Sequence, residues 1–264
     1  MTGVSVAGVG LVTGWGERVA ALPEDARGAA AGRRVIALPR PPLAGERFRR
    51  ATRECLLGVA AVEALLAEAG LGRQAIRGSD TALVYVTAGA YGAANRSFVE
   101  LAAGPGALHF PYTAPSAVPG EVAIEFGLTG AYAILIGGAA ATIDGLWQAT
   151  RLLASGQCTK ALVLAVETFA ECEDLWGRAR WLVRTPLVES AACALLVPGE
   201  RAATYGPASA PSGLETLTRA RAGETLACGP LVALALARAA GGTGPVRLTG
   251  EWRGRRAGLA LEAD

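Results

Sequence analysis

The stretch GLTGAYAILIGGAAATIDGLWQATRLLASGQCTKALVLAVE, residues 127–167, decides the fold of this chain. It opens with an apolar run at residues 133–136, and a tight Gly137-Gly138-Ala139 turn follows. The next segment has apolar residues at helical spacing and ends near Gly156, where a helix would stop. A second apolar run, at residues 161–166, lacks polar alternation, which is typical of a strand buried on both faces. The predicted order is strand, tight turn, buried helix and strand.

This unit places Ala139 at the N-terminus of a helix, where free amides and the helix dipole favour a thiolate or an oxyanion. The residues resemble the nucleophile segment of the β-ketoacyl synthases, the condensing enzymes of the thiolase-like fold. That pattern runs Gly-Pro-Asn, four residues, Thr-Ala-Cys and a helix of small residues. Gly130 matches its first glycine, and Gly137-Gly138-Ala139 replace Thr-Ala-Cys. Ala139 thus occupies the nucleophile position, and its methyl group can neither hold an acyl chain nor be activated by a base.

Three further segments carry the same resemblance. Residues 49–71 resemble the first long helix of ketosynthases, and residues 189–197 resemble their Glu-Gly-Ala strand. Residues 108–130 resemble the segment Pro-Asn-x-x-x-Gly-x-x-Ala-Ile-x-x-Gly-Leu, with Ser116 where asparagine is usual. The three prolines of this last segment predict irregular structure up to Gly120, and only then a helix.

The resemblance implies an α/β protein with a thiolase-like layered αβα(βα) fold, in which the C-terminal half is strongly truncated. Residues 1–264 then form a single ketosynthase-like domain. Residues 1–200 are its N-terminal half, with the nucleophile-position helix, and residues 201–264 are a remnant of the C-terminal half. Gly223 falls on the histidine of the family's Gly-His-Thr-x-Gly-Ala-Ala-Gly motif, so this base position is degenerate as well.

Within the remnant, residues 205–213 are rich in Pro, Gly and Ser and are predicted to be a linker. Residues 246–248 and 258–261 predict a closing β-hairpin. Because a large internal block of the family's second half is missing, we expect one face of the second sheet to be left exposed and to need a partner.

The function implied by the resemblance is that of a non-catalytic partner, similar to the chain-length factors of type II polyketide and aryl-polyene pathways. Such a protein forms a heterodimer with an active β-ketoacyl synthase, shapes its acyl tunnel and meets the acyl carrier protein through the complex. The condensation itself belongs to the partner. By family analogy, one strand is expected to pair across a pseudo-twofold axis: Ala161, Leu162, Val163, Leu164, Ala165 and Val166. Four bulky residues are candidates for lining the tunnel, with core packing as the alternative for each: Phe98, Phe110, Tyr112 and Tyr132.

An enzymatic alternative remains open, in which the chain is an autonomous acyltransferase or thioester hydrolase. It would need a nucleophile outside the family's pattern, and the candidates are Ser116, Cys158 and Cys193. The only histidine, His109, has no apparent carboxylate or thiol partner in the sequence, so we interpret it as a structural or surface residue.

A nucleotide-binding protein is the third alternative, because Gly8, Gly10 and Gly14 open the chain. The dinucleotide fingerprint requires G-x-G-x-x-G leading directly into a helix. Here the third glycine comes one residue late and a proline-containing stretch follows, which disfavours this function.

The composition excludes several other classes. With 25 basic and 23 acidic residues the formal net charge is +2, which gives no electrostatic basis for binding nucleic acid or an anionic membrane. Glycines interrupt every long apolar run, and no signal sequence is apparent, so a cytoplasmic protein is expected. The five cysteines lack C-x-x-C spacing and a histidine partner, and we predict neither a metal site nor a cofactor.

Two further segments are predicted to lie on the surface. The arginines at positions 47, 49, 50 and 53 are interpreted as a solvated helix start, with phosphate binding as the alternative. Residues 172–184 are amphipathic and contain two tryptophans, which favours a surface helix over a lid that faces a partner.

Overall fold

The computed structural model describes residues 3–43, 45–49, 51–100, 110–169, 185–241 and 244–262. Its strands are β1 (Gly3–Thr13), β2 (Gly16–Glu17), β3 (Val35–Ile36), β4 (Thr81–Thr87), β5 (Tyr132–Ile136), β6 (Lys160–Glu167), β7 (Leu187–Val188), β8 (Ser190–Gly199), β9 (Ala203–Pro207), β10 (Val246–Trp252) and β11 (Arg255–Leu261). Its α-helices are α1 (Ala26–Ala29), α2 (Arg53–Ala69), α3 (Gly92–Glu100), α4 (Ala117–Phe126), α5 (Ala139–Ala154), α6 (Gly213–Ala222) and α7 (Gly229–Ala239). The predicted segment 172–184 lies outside the described residues.

The main sheet has six strands in the order β2-β1-β8-β6-β4-β5. β6 runs parallel to β4, β4 runs parallel to β5, and β8 is antiparallel to both β1 and β6. The strand predicted over residues 161–166 is confirmed, because β6 lies in the interior of the sheet and all its residues from 161 to 167 are buried. The parallel strands β4, β5 and β6 therefore end at one edge of the sheet, where α5 begins.

Two helical layers cover the two faces of this sheet. On one face, α2 and α4 pack against Leu83, Tyr85, Leu162 and Leu164. On the other face, α5 and α7 pack against the alternate residues of the same strands. The central strands are apolar on both faces for this reason, which explains why their sequences show no alternation.

The early glycines allow α2 to lie close to β1. A methyl group added at Gly10 would overlap backbone atoms of Leu65 on α2, and one added at Gly8 would come 2.6 Å from Glu68 Oε2. Gly14 is in the same way confined by Ile36. These glycines therefore serve helix-to-strand packing, which accounts for them without a nucleotide.

The second sheet has three strands in the order β10-β11-β9 and lies beyond α5 and α7. The predicted hairpin is confirmed as β10 and β11, which are joined by a two-residue turn at Arg253-Gly254. Both turn residues have positive φ, 51° and 80°, as the tight hairpin turn of this length requires. The predicted linker at residues 205–213 is wrong in its first part, because Tyr205 lies in β9 and stacks on Trp147 of α5 at 5.5 Å between ring centroids.

The outer face of the second sheet does not carry the apolar surface that we expected. Its accessible residues are small or polar, among them Thr204, Gly206, Arg247, Gly258 and Ala260. No exposed large hydrophobic side chain of the described ranges lies on β10 or β11. On β9 of the same sheet, Tyr205 is 37% exposed.

Helix α4 begins earlier than its prolines suggested. The prediction placed the first helical residue after Gly120, whereas the helix starts at Ala117 with Pro119 in its first turn. The first-turn amides have no partner inside a helix, so a proline there costs no hydrogen bond.

A buried carboxylate joins the segments around the ends of β6 and β8. Glu189 is fully buried and accepts bidentate hydrogen bonds from Arg53, at 2.7 Å to each oxygen. It also accepts from the amide of Leu38 at 2.7 Å and from the amide of Phe169 at 2.5 Å. One side chain thereby ties β8 to the start of α2 and to two loops.

Replacing Glu189 with alanine is expected to destabilise the protein by about 3 to 5 kcal/mol, because the Arg53 guanidinium and two amides would lose their acceptor. Urea unfolding followed by circular dichroism measures the change. Glu189→Gln keeps one acceptor and should cost less, and Arg53→Ala in the Glu189→Ala background should cost less than in the wild type. Additive effects of the two alanine changes would contradict this account.

Candidate functional site at the tip of helix α5

The Gly137-Gly138-Ala139 turn lies where the predicted unit places it. β5 ends at Ile136, Gly138 caps the helix, and Ala139 is the first residue of α5. Ala139 is half-buried, and Gly138 accepts hydrogen bonds through its carbonyl from the amides of Ala141 and Thr142. The first residue of the helix is therefore set at the carboxyl edge of β4, β5 and β6, the position from which a nucleophile would act.

Strand β10 closes over this helix tip. A methyl group added at Gly138 would overlap ring atoms of Trp252, so the indole lies directly against the backbone of the turn. A methyl group added at Gly250 would come 2.6 Å from the carbonyl carbon and oxygen of Ala139. The guanidinium of Arg253 lies 5.6 Å from the centre of the Trp252 ring. Trp252 therefore lies against the Gly137-Gly138 turn, and Gly250 lies against the backbone of Ala139.

The segment before α7 reaches the same region. A short 3-10 helix, Leu226–Cys228, packs against α5, and the Thr142 hydroxyl donates to the carbonyl of Ala227 at 2.5 Å. Gly223, for which the resemblance predicts the histidine position, lies at the end of α6 with φ at 83° and packs against Pro186. The structure thus brings the start of α7 to α5, and Gly223 contributes no side chain.

A second carboxylate lies buried at the end of β6. Glu167 is fully buried and accepts from the amides of Ala88 at 2.5 Å and Gly89 at 3.3 Å. The hydroxyl of Thr87 lies 3.5 Å from Oε2, the oxygen that also accepts from Gly89, and the backbone of Ala227 bonds to the same carboxyl group. Burial raises the pKa of Glu167 to about 8, while these hydrogen bonds oppose the rise. The carboxyl links β6 to the loop that leads into α3 and to the segment before α7.

The four bulky candidates are spread over two surfaces. Phe98 of α3 and Phe110 are in contact, with ring centroids 5.7 Å apart, and Phe110 is 63% exposed. Tyr112 is half-buried against the core cluster beneath α2 and α4. Tyr132 is 54% exposed at the start of β5. Phe110 and Tyr132 are therefore free to contact another chain, and Tyr112 packs partly in its own core.

The expectation that residues 161–166 pair across a twofold axis is wrong. Ala161, Leu162, Val163, Leu164, Ala165 and Val166 are fully buried in β6. β6 is hydrogen-bonded to β4 on one side and to β8 on the other, so it has no free edge. Within the described residues, β5 is an edge strand of this sheet and pairs with β4 alone.

The candidate nucleophiles of the enzymatic alternative lie in unfavourable environments. Cys193 is fully buried in the middle of β8, and burial raises its pKa far above the ordinary value. Burial also raises the pKa of Cys158, which lies between the end of α5 and the start of β6, at the opposite end of these elements from Ala139. Ser116 is exposed at the start of α4. A neutral buried thiol is a poor nucleophile, and His109 lies outside the described residues.

In the described part of the chain, two of the four clustered arginines form ion pairs within the protein. Arg53 is committed to Glu189, and Arg49 pairs with Glu46, which leaves these two arginines engaged within the protein. Across the same ranges, no three His, Cys, Asp or Glu side chains form a group suited to a metal ion. None of the helices in those ranges combines the length and apolarity needed to cross a bilayer.

Sequence reasoning missed three residues of this site, namely Gly250, Trp252 and Glu167. The first two lie more than a hundred positions from Ala139. Only the packing of the second sheet on α5 brings them together. A weak signal existed for Glu167, because a carboxylate that ends a wholly apolar strand requires a specific set of donors.

Comparison with known proteins places these observations in a family context. Residues 40–193 match the family model described as β-ketoacyl synthase, N-terminal domain. A comparison of the sequence with curated proteins finds no significant match.

Solved structures give the same fold at low sequence identity. The ishigamide ketosynthase/chain length factor is 17% identical, with a TM-score of 0.75, over 100% of this chain and 99% of that one. A type II PKS ketosynthase in complex with its acyl-carrier protein, AntDE:AntF, is 13% identical, with a TM-score of 0.78, over 100% of both chains. The ketosynthase ApeO in complex with its chain length factor ApeC, from Xenorhabdus doucetiae, is 15% identical, with a TM-score of 0.61, over 99% of both. These similarities establish the thiolase-like α/β fold.

Adding a methyl group at Gly138 is expected to destabilise the protein by about 1 to 3 kcal/mol, because the group would overlap the Trp252 ring. The free energy of unfolding of Gly138→Ala measures this effect. In a Trp252→Ala background the same change should cost much less. Gly120→Ala, in open space on α4, is the matched control and should not destabilise. An equal cost at Gly138 with and without Trp252 would contradict the proposed contact.

The stability contributed by Glu167 is expected to fall as pH rises. The folded state holds the proton until about pH 8, whereas the unfolded chain releases it near the ordinary pKa of 4.5. Between these values folding takes up a proton, so the free energy of unfolding falls by up to about 1.4 kcal/mol per pH unit. Glu167→Gln removes this pH-dependent contribution to the free energy of unfolding, because an amide does not titrate. Urea unfolding of both proteins at several pH values should show the wild type losing stability relative to the variant as pH rises from 5 to 8, and a constant difference would refute it.

Proposed function

The chain belongs to the β-ketoacyl synthase family, and from this premise we propose that it is a non-catalytic subunit of the chain-length-factor type. It pairs with an active β-ketoacyl synthase and shapes the tunnel for the growing acyl or polyene chain in type II polyketide or fatty-acid-like biosynthesis. The acyl carrier protein meets it through the complex. Structural relatives are themselves described as ketosynthase and chain length factor complexes, which supports this role.

The observation that carries the proposal is the state of the helix tip. The family's nucleophile position is Ala139, and Gly250 and Trp252 lie against it. A thiol is absent there and the space beside it is filled, so acyl transfer at this point has neither a nucleophile nor room for a thioester. The degenerate position Gly223 supplies no imidazole for base catalysis.

The domain organisation follows the same proposal. Residues 1–200 form the ketosynthase N-terminal half, and residues 201–264 are what remains of the C-terminal half. In support, the main sheet is made by strands from the first part, and the three-stranded sheet comes from the second. The remnant retains the strands that pack on α5, and these supply Trp252 and Gly250.

We place the partner surface at β5 and not at β6. In the described ranges β5 pairs only with β4, and its outward residues Tyr132 and Ile136 are 54% and 52% exposed. Phe110 is also exposed, on a short helix that contacts α3 and α4. An unprotected edge strand with exposed apolar side chains is suited to strand addition by another chain. The tunnel-facing residues in this proposal are Phe98, Phe110 and Tyr132.

The non-catalytic role is tested by thioester turnover. The purified chain alone is expected to neither hydrolyse nor transfer the acyl group of an acyl-CoA thioester above the buffer rate, because no activated nucleophile is present. The complex with the ketosynthase encoded by the neighbouring gene should turn over malonyl carrier protein, and replacing the partner's nucleophilic cysteine should abolish that activity. Turnover by the chain alone would establish the enzymatic alternative instead.

A charge on the β5 edge is expected to break the complex. Ile136→Asp should weaken association with the co-expressed ketosynthase by at least about tenfold, or 1.4 kcal/mol, since the carboxylate would be buried without a partner. Isothermal titration calorimetry or co-purification measures the loss. Leu217→Asp on α6, which is 43% exposed in the wild type, is the matched control and should bind normally. Normal binding by Ile136→Asp would exclude β5 as the interface.

A further inference from the structure

The main sheet has a second edge, at β1, and this edge lacks a full neighbouring strand. β2 pairs only with Val12 and Thr13 at the far end of β1. The rest of the strand, from Gly3 to Leu11, borders β8 on one side only. An edge of this length would ordinarily invite pairing with another chain.

Single contacts from elsewhere in the chain nevertheless bind several of the outward backbone groups of β1. The Val4 amide donates to the carbonyl of Arg201 at 2.9 Å, and the amide of Arg18 donates to the carbonyl of Leu11 at 3.0 Å. These two contacts cover the ends of the free stretch. The middle of the stretch, residues 6–9, is covered by side chains.

Those side chains are Arg238 of α7 and Glu68 of α2. Arg238 donates to the carbonyl of Val6 at 2.5 Å and to the carbonyl of Ala7 at 3.3 Å. Glu68 accepts from the amide of Val9 at 3.1 Å and pairs with Arg238 at 3.4 Å. Helices on opposite faces of the sheet thus join across its edge.

An irregularity in β1 makes this arrangement possible. The pairing of β1 with β8 shifts register between Val6 and Gly8. In a regular strand successive carbonyls point to opposite sides, whereas a bulge lets neighbouring ones point the same way. One guanidinium can therefore bind the carbonyls of both Val6 and Ala7.

The surroundings of the ion pair would admit a strand if the pair were absent. Surface cavities of about 320 and 240 Å³ lie along β1, and Arg238 lines both of them. The apolar residues beside it are Leu234 in one cavity and Val9, Leu11 and Ala235 in the other. Backbone groups of the β1 edge, open space and apolar side chains therefore occur together here. The side chains of Arg238 and Glu68 lie at the centre of this region.

We propose that Glu68 and Arg238 are a guard pair that closes the β1 edge to strand addition, so that a second chain can extend the main sheet only at β5. The assignment of β5 rests on the proposed function, whereas the closure of β1 does not. Charged side chains on edges and bulges are the means by which sheets avoid wrong pairing. The guard pair acts in this way while leaving the other edge free for its partner.

The test compares self-association of the full chain with and without the guard pair, in an Ile136→Asp background that silences β5. Sedimentation velocity at roughly 10 to 100 µM covers the range in which exposed edges associate. The Ile136→Asp protein is the reference. The protein that also carries Glu68→Ala and Arg238→Ala is expected to self-associate more tightly than this reference. Its dissociation constant should be at least about tenfold lower. Hydrogen exchange of the Val9 amide should accelerate in the dissociated protein, because it loses its acceptor.

Matched variants separate the guard function from general loss of charge. Glu68→Gln with Arg238→Lys keeps an acceptor and a donor at the edge and should behave like the reference. Arg96→Ala with Glu100→Ala removes an exposed ion pair on α3 and should also leave association unchanged. If the double alanine variant unfolds, Arg238→Ala alone is measured, with an expected tightening in the same direction.

The proposal is overturned if the guardless protein is folded, as judged by a cooperative thermal transition, and yet sediments like the reference at every concentration. It is also overturned if the Arg96 and Glu100 control associates equally. Binding to the ketosynthase is a separate readout. Loss of that binding on changing β5 tests the proposed function, and self-association on changing β1 tests the guard pair.

Discussion

The close approach of the α5 tip to strand β10 is the constraint on which the rest of the structure depends. Glycines stand on both sides of this contact, Gly138 before the helix and Gly250 on the strand, because a methyl group at either position would meet the other side. Trp252 then lies against the Gly137-Gly138 turn, and Gly250 lies against Ala139. In the proposed function this place corresponds to the nucleophile position, so the same packing that orders the helix tip also bears on the proposed role. The helix, the turn and the second sheet are therefore packed as one unit.

Two buried carboxylates hold the segments that surround this unit, and they do so by different means. Glu189 is neutralised by the guanidinium of Arg53 and accepts two further amides. Glu167 has backbone amides and a hydroxyl as its donors, so burial dominates and its pKa lies well above the ordinary value. The first is therefore held by a cation, whereas the second is held by neutral donors. Both lie at the same end of the main sheet, where β6 ends and the antiparallel strand β8 begins.

The two edges of the main sheet explain how such a protein can associate without aggregating. β5 shows apolar side chains at a free edge, and β1 has its outward groups bound by other parts of the same chain. One edge is thus suited to a partner and the other is not. This asymmetry matters for a subunit whose proposed role requires one partner in one orientation. It also shows why the interior strand β6, although the most apolar in sequence, cannot be the interface.

The sequence by itself determined the class of the fold, the order of its central elements and the presence of alanine at the tip of α5. The apolar run at residues 161–166, the Gly137-Gly138-Ala139 turn and the helical spacing after it were sufficient, because they depend on local periodicity and on the chemistry of one side chain. Only the tertiary structure decided which strand lies at the edge, that Trp252 and Gly250 meet Ala139, and that Glu68 and Arg238 join across β1. Strand order and contacts between distant segments arise from the packing of whole layers, and local sequence patterns carry no record of them.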